Sequence, residues 1–163
     1  MQISNDDFLM FIDRALDGML RIVEELGNER ANMRPDLPGA NSPYAILTHC
    51  VGVANYWIGA LLAHRHFTRD RDAEFRVQGT VDEIRRVVHN LQRQLQEDIS
   101  HVRGEQPLVS APAASYTPMR GYEGWTQGAA LLHTYEELAQ HHGQMEITRD
   151  ILRQESKAGS PAS

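Results

Sequence analysis

The sequence predicts an all-α protein, a four-helix bundle. Three observations lead there. Four stretches of roughly 20 to 30 residues carry apolar side chains at three- and four-residue steps, the mark of helices with one buried face. No stretch alternates convincingly as a strand would, and no segment repeats. At 163 residues the chain is long enough for one well-buried core. Residues 1–155 are expected to form a single bundle domain, and residues 156–163 a disordered tail.

The first helix starts at a cap formed by Ser4 or Asn5, with Asp6 and Asp7 placed to favour its N-terminal dipole. Phe8, Phe11, Ile12, Ala15, Met19, Ile22, Val23 and Leu26 make its apolar stripe, and Gly27 is the expected C-cap. Arg34-Pro-Asp-Leu-Pro-Gly-Ala-Asn41 is a connecting loop, since two prolines and a glycine forbid regular structure. Ser42-Pro43 opens the second helix, with serine as N-cap and proline in the first turn. That helix is expected to reach about His64. Residues Phe67 to Gly79 read as a charged loop with room for a short helical turn.

Thr80-Val-Asp-Glu83 is a capping box for the third helix. Val81, Ile84, Val87, Val88, Leu91, Leu95, Ile99 and Val102 supply its stripe, and Asp98 and Arg103 fall on its wetter side. Three prolines between Gly104 and Gly124 make a long loop, of a length suited to covering a site. The fourth helix is expected from about Trp125 to Gln154.

Charge and composition narrow the function classes. A net charge of -6 argues against a nucleic-acid surface, which needs clustered Lys and Arg. Cys50 is the only cysteine, so no intrachain disulfide can form, and a reducing cytoplasm fits. The first residues show no basic segment followed by an apolar one, so no secretory leader is expected. Tyr44 to Leu62 contains no Asp, Glu, Lys or Arg and is long enough to span a bilayer. Thr48, His49, Asn55 and two glycines within it favour a helix sunk in the bundle, so no membrane association is expected.

The polar residues of the last helix carry the chemistry. Residues four apart lie one turn above each other, so His133, Glu137 and His141 form a ridge of two imidazoles and a carboxylate. On a helical wheel Leu131, Leu138, Met145 and Leu152 mark the apolar centre. His141 and Glu137 then lie about 60° and 100° to one side, and His142, with Glu146 beyond it, to the other. Two Glu/His pairs with four-residue spacing thus exist, Glu137/His141 and His142/Glu146, and periodicity does not choose between them. His133 lies farthest from the apolar centre and is the weakest candidate.

Such a pair is most often simply solvated, and a histidine near an apolar face is usually hydrogen-bonded in a core. His49 weighs the other way. It is an imidazole in a helix that otherwise avoids polar groups, and burying it requires a partner such as a metal, a carbonyl or a tyrosine. Other chemistries find no support: there is no Glu-x-x-His, no His-Glu-x-x-His, no Gly-x-Ser-x-Gly and no glycine-rich phosphate loop. Cys50 follows His49, but adjacent helical positions diverge by about 100°, so a Cys–His nucleophile pair is not expected.

His133-x-x-Glu136-Glu137-x-Ala139-x-His141-x-Gly143, followed by Arg149-Asp150, resembles the last-helix signature of the DinB/YfiT-like superfamily. The likeness is to the branch of mycothiol-dependent maleylpyruvate isomerase and related thiol transferases. Leu47-x-His49-x-x-x-Val53-x-x-x-Trp57 resembles that branch's second helix. The resemblance implies an up-down-down-up bundle and one divalent metal held by His49, Glu137 and His141, which selects the first of the two pairs. Zinc is the implied metal ahead of nickel, iron or manganese. Gln144 departs from the pattern, since this branch often has a second histidine there.

By the same resemblance, the partners are a low-molecular-weight thiol of mycothiol, bacillithiol or glutathione type and a small electrophile, with a homodimer as the assembly. The implied activity is a metal-dependent thiol S-transferase or isomerase. The alternatives are a non-catalytic metal- or ligand-binding bundle related to stress and a purely structural dimerisation domain. No general acid is assigned; Tyr116, Tyr122 and Tyr135 are the candidates.

Overall fold

A computed structural model describes residues 3–112 and 124–158. It is all-helical, and among the described residues the only β pairing is an isolated bridge between Pro107 and Thr126. The α-helices are α1 (Asn5–Ala31), α2 (Pro43–Ala54), α3 (Arg71–Glu74), α4 (Val81–Asp98) and α5 (Gln127–Ala158). Helix α1 packs against α5, α4 and α2, and α2 packs against α5.

The helix starts follow local chemistry. The Ser4 hydroxyl accepts from the Asp7 amide at 3.0 Å, and that of Ser42 from Ala45 at 3.3 Å with Pro43 in the first turn. Thr80 and Glu83 close the expected capping box reciprocally. At the expected C-cap, Gly27 adopts φ 71° and interrupts α1, which resumes and runs to Ala31. The short helix α3 lies inside the segment expected to be a loop with one helical turn, and Asp70 caps it through the Ala73 amide at 2.9 Å.

Helix α2 leaves the α pattern sooner than its apolar run suggests. From Asn55 to Ala60 the chain widens into a π-helical turn. Arg65 explains part of the change: its Nη2 bonds Asn55 Oδ1 at 2.9 Å, and it packs where a Cβ on Gly59 would stand. The same guanidinium donates from Nε to both Asp98 oxygens at 2.9 Å. Asp98 is therefore buried at the end of α4, not on its wetter side, because a cation from a distant turn reaches it.

Ile12, Leu16 and Met19 of α1, Ile46, Leu47 and Trp57 of the second helical segment, Ile84 and Leu95 of α4, and Leu138 and Met145 of α5 are almost fully buried in one cluster. This accounts for the uncharged Tyr44–Leu62 stretch, and no described helix is long and apolar enough to cross a membrane. Two expected core residues are exposed instead, Val87 and Phe11. Helix α4 packs on α1, α2 and the π-helical turn, and these together leave Val87 exposed. After α4 the chain crosses the start of α5, where the Gly128 amide donates to the Gly104 carbonyl at 2.9 Å. A Cβ on Gly128 would sit 3.0 Å from that oxygen, so a glycine allows the crossing. Helix α5 reaches Ala158, and the rest of the expected tail lies outside the described residues.

Thr80→Ala should lower stability by about 1 kcal/mol through the lost cap. Asp98→Ala, which strips a part-buried guanidinium of its partner, should cost about 2–3 kcal/mol. Urea unfolding of the two variants checks the order; equal losses would mean that the Arg65–Asp98 pair is no stronger than an exposed cap.

Candidate metal centre

His49 sits in the second turn of α2 with 2% of its surface exposed. Its imidazole is held on three sides. Nδ1 lies 2.8 Å from Glu74 Oε2, at the last residue of α3. The Phe75 ring stacks on it at 4.5 Å with a 27° interplanar angle. Its other nitrogen, Nε2, is buried without a hydrogen-bond partner and faces Glu137 Oε2 of α5 at 3.7 Å.

Glu137 Oε2 is also 3.7 Å from His141 Nε2, one turn along α5. The His49 and His141 rings meet nearly edge to face, with centroids 5.0 Å apart. The donor atoms of His49, Glu137 and His141 all lie within 4.8 Å of one another, so α2 and α5 bring together a set able to hold a metal ion. His141 Nδ1 lies 2.8 Å from Gln144 Oε1, so the residue that departs from the family pattern bonds the far side of this ring.

The second Glu/His pair is not at this point. His142 turns toward α1, where its ring fills the space beside Gly18, and Glu146 is exposed. His133 belongs to the site more than the wheel suggests. It is buried, with Nε2 4.0 Å from Glu137 Oε1, and meets the rings of Trp57 and Trp125 at 4.8 and 5.4 Å. The wheel was centred on residues seven apart, and in the first turns of α5 the buried face swings round to Ala130, His133 and Thr134. The neighbours there are the rings of Trp57, in the π-helical turn, and Trp125, two residues that the sequence marks as core or pocket wall.

The electrostatics match the contacts. Burial pushes the His49 pKa down, but Glu137 and Glu74 outweigh it and the net shift is upward. The facing imidazoles, His49 first and then His133 and His141, hold Glu137 below the usual carboxylate range against the effect of burial. Burial lowers His141, which favours its neutral, ligating form. Cys50 is wholly buried and its thiol is pushed far up by desolvation, so it is a core residue with no thiolate to offer. Tyr135 packs edge to face on Phe11 of α1 at 5.8 Å. Tyr116, Tyr122 and much of the Gly104–Gly124 loop lie outside the described residues.

Glu74 and Arg69 are the residues that sequence reasoning missed. Arg69 donates to Glu74 from Nε to Oε1 at 2.7 Å and from Nη2 to Oε2 at 2.9 Å, and its Nη2 stands 3.2 Å from His49 Nδ1. One signal was available. Gly52 lies three residues after His49 on the same face of α2, and the Glu74 carboxylate fills the space its missing side chain leaves.

A comparison with curated proteins returns no match. The sequence does match the mycothiol-S-transferase family over residues 7–154, a span that takes in His49, Glu74, Glu137 and His141. The chain therefore belongs to the mycothiol-S-transferase family, a DinB-like family of thiol transferases.

Proposed function

We propose that His49, Glu137 and His141 hold one divalent cation and that the protein is a thiol S-transferase or isomerase acting on small electrophiles. The observation that carries this reading is the buried, unpartnered Nε2 of His49 facing the carboxylate and imidazole of α5. Two donors, each about 2.1 Å from a tetrahedral ion, are roughly 3.4 Å apart. The 3.7 Å separations between Glu137 Oε2 and both Nε2 atoms are close to that spacing. Two neutral imidazoles and one carboxylate suit zinc first, and nickel, iron or manganese after it.

A cation held by His49, Glu137 and His141 would supply Lewis acidity, the property that lowers the pKa of a low-molecular-weight thiol. The chain itself offers no sulfur nucleophile, because Cys50 is buried and protonated. The sulfur must come from a co-substrate, and the family points to mycothiol. In a transfer the S–H bond breaks, a C–S bond forms, and the proton leaves with the group displaced from carbon; in an isomerisation the sulfur adds to a conjugated double bond, the resulting single bond rotates, and the C–S bond breaks to return the thiol. Trp57, Trp125 and His133 make a low-dielectric wall beside Glu137, which keeps water from one side of the site.

The same reading takes residues 1–155 as one domain, with α1, α2, α4 and α5 in the up-down-down-up order. Its setting is a reducing cytoplasm, where a thiol co-substrate is available, and its assembly is a homodimer.

Protein purified without chelator should carry close to one metal per chain, and His49→Ala should carry none. Elemental analysis checks both, and equal metal in wild type and variant would overturn the assignment. Stripping the metal should lower the thermal midpoint of wild type and leave that of His49→Ala unmoved. Metal affinity should weaken as pH falls through the raised pKa of His49, above its ordinary 6.5, because a protonated imidazole has no lone pair to give. Titration of metal-free protein between about pH 5.5 and 8 reads this; a flat profile would contradict it. Mycothiol conjugation to a model electrophile should disappear with the metal, whereas metal uptake without turnover of any thiol would leave a non-catalytic binding protein.

A further inference from the structure

The contacts of His49 on the side away from α5 carry a second conclusion, which rests on the metal reading above but makes its own demands. We infer that Glu74, clamped by Arg69 and admitted by Gly52, is a positioning residue that fixes the tautomer and ring orientation of His49 so that Nε2 is the ligating atom.

Two neighbours compete for His49 Nδ1. Glu74 Oε2 stands at 2.8 Å and accepts only, and Arg69 Nη2 stands at 3.2 Å and donates only. They require opposite states of Nδ1. A lone pair there would accept weakly from Arg69 while facing a carboxylate oxygen at hydrogen-bond distance. A proton there makes a short, charge-assisted bond to Glu74, and Arg69 Nη2 satisfies itself on the same Oε2 at 2.9 Å. The second arrangement exchanges a lone pair facing a carboxylate at 2.8 Å for a longer donor–donor contact of 3.2 Å with a guanidinium already bonded to Glu74, so Nδ1 carries the hydrogen and the Nε2 lone pair is free. That is the nitrogen buried without a partner opposite Glu137.

The carboxylate could not occupy this place by default. Its side chain is 10% exposed and that of Arg69 4%, so an isolated Glu74 would bear the full cost of desolvation. The two-point bond from Arg69 offsets that cost and holds the carboxylate plane. Burial alone would raise the Glu74 pKa, yet His49 and Arg69 hold it below the usual carboxylate range. Space comes from Gly52, because a Cβ there would fall 2.6 Å from Glu74 Cδ. Phe75, next in sequence, stacks on the imidazole and restricts its rotation. A carboxylate behind a ligating histidine also strengthens it as a donor, an effect worth about 10- to 100-fold in metal affinity.

The test compares wild type, Glu74→Gln, Glu74→Ala and Gly52→Ala, with circular dichroism to show that each is folded. In metal-free protein, nitrogen-15 NMR of His49 above its pKa should show the Nδ1–H tautomer in wild type. Glu74→Gln, whose amide oxygen still accepts, should keep it, and Glu74→Ala should shift toward Nε2–H. Zinc titration against a competing chelator should give affinities about 10- to 100-fold weaker for Glu74→Ala and Gly52→Ala, with Glu74→Gln between them and wild type. Wild-type zinc binding with an unchanged tautomer and affinity in Glu74→Ala would overturn the role of Glu74 and leave the metal centre standing. No zinc binding by wild type would overturn the metal centre, while the tautomer measurement would still decide what Glu74 does. Should Glu74→Ala fail to fold, Glu74→Met, which keeps most of the side-chain volume and removes the acceptor, should show the same direction of change in both readouts; no change in either would count against the proposal.

Discussion

A histidine buried in an otherwise apolar helix is the constraint on which the site depends. Imidazole has two nitrogens, and a helix core offers neither of them a backbone partner. The fold meets this demand at His49 from two directions. On one side α3 brings Glu74, itself neutralised by Arg69. On the other α5 brings Glu137 and His141, with Glu137 3.7 Å from each imidazole, a separation too long for direct hydrogen bonds. The helical scaffold around them sets those distances, because α2 and α5 are packed directly together and both lean on α1.

The scaffold was the more legible half of the sequence. Serine and threonine caps act within three residues of themselves, so Ser4, Ser42 and the Thr80–Glu83 box could be read locally. The buried stripes of α1 and α4 followed from spacing, and they erred at Phe11 and Val87, which the neighbouring helices leave exposed. Asp98 shows the opposite error. A carboxylate next to the end of a helix looks solvated until Arg65, coming off the π-helical turn, reaches it from 33 positions away in sequence.

In the site, the ridge of α5 was visible as a spacing, but its orientation was not. Choosing between Glu137/His141 and His142/Glu146 needs the rotation of α5 about its axis, which long-range partners such as Trp57 and Gly18 decide. The burial of His133 depends on the same rotation. Glu74 was hidden more deeply, since it lies in a charged segment with no periodicity, and its bonds to His49 and Arg69 and its fit against Gly52 exist only in the folded chain.

The most direct measurement is a crystal structure of the metal-loaded protein with anomalous scattering recorded on both sides of the zinc absorption edge. A single peak about 2.0–2.2 Å from His49 Nε2, Glu137 and His141 Nε2 is the predicted result. A peak bound elsewhere, or ligation of His49 through Nδ1, would contradict the central claim.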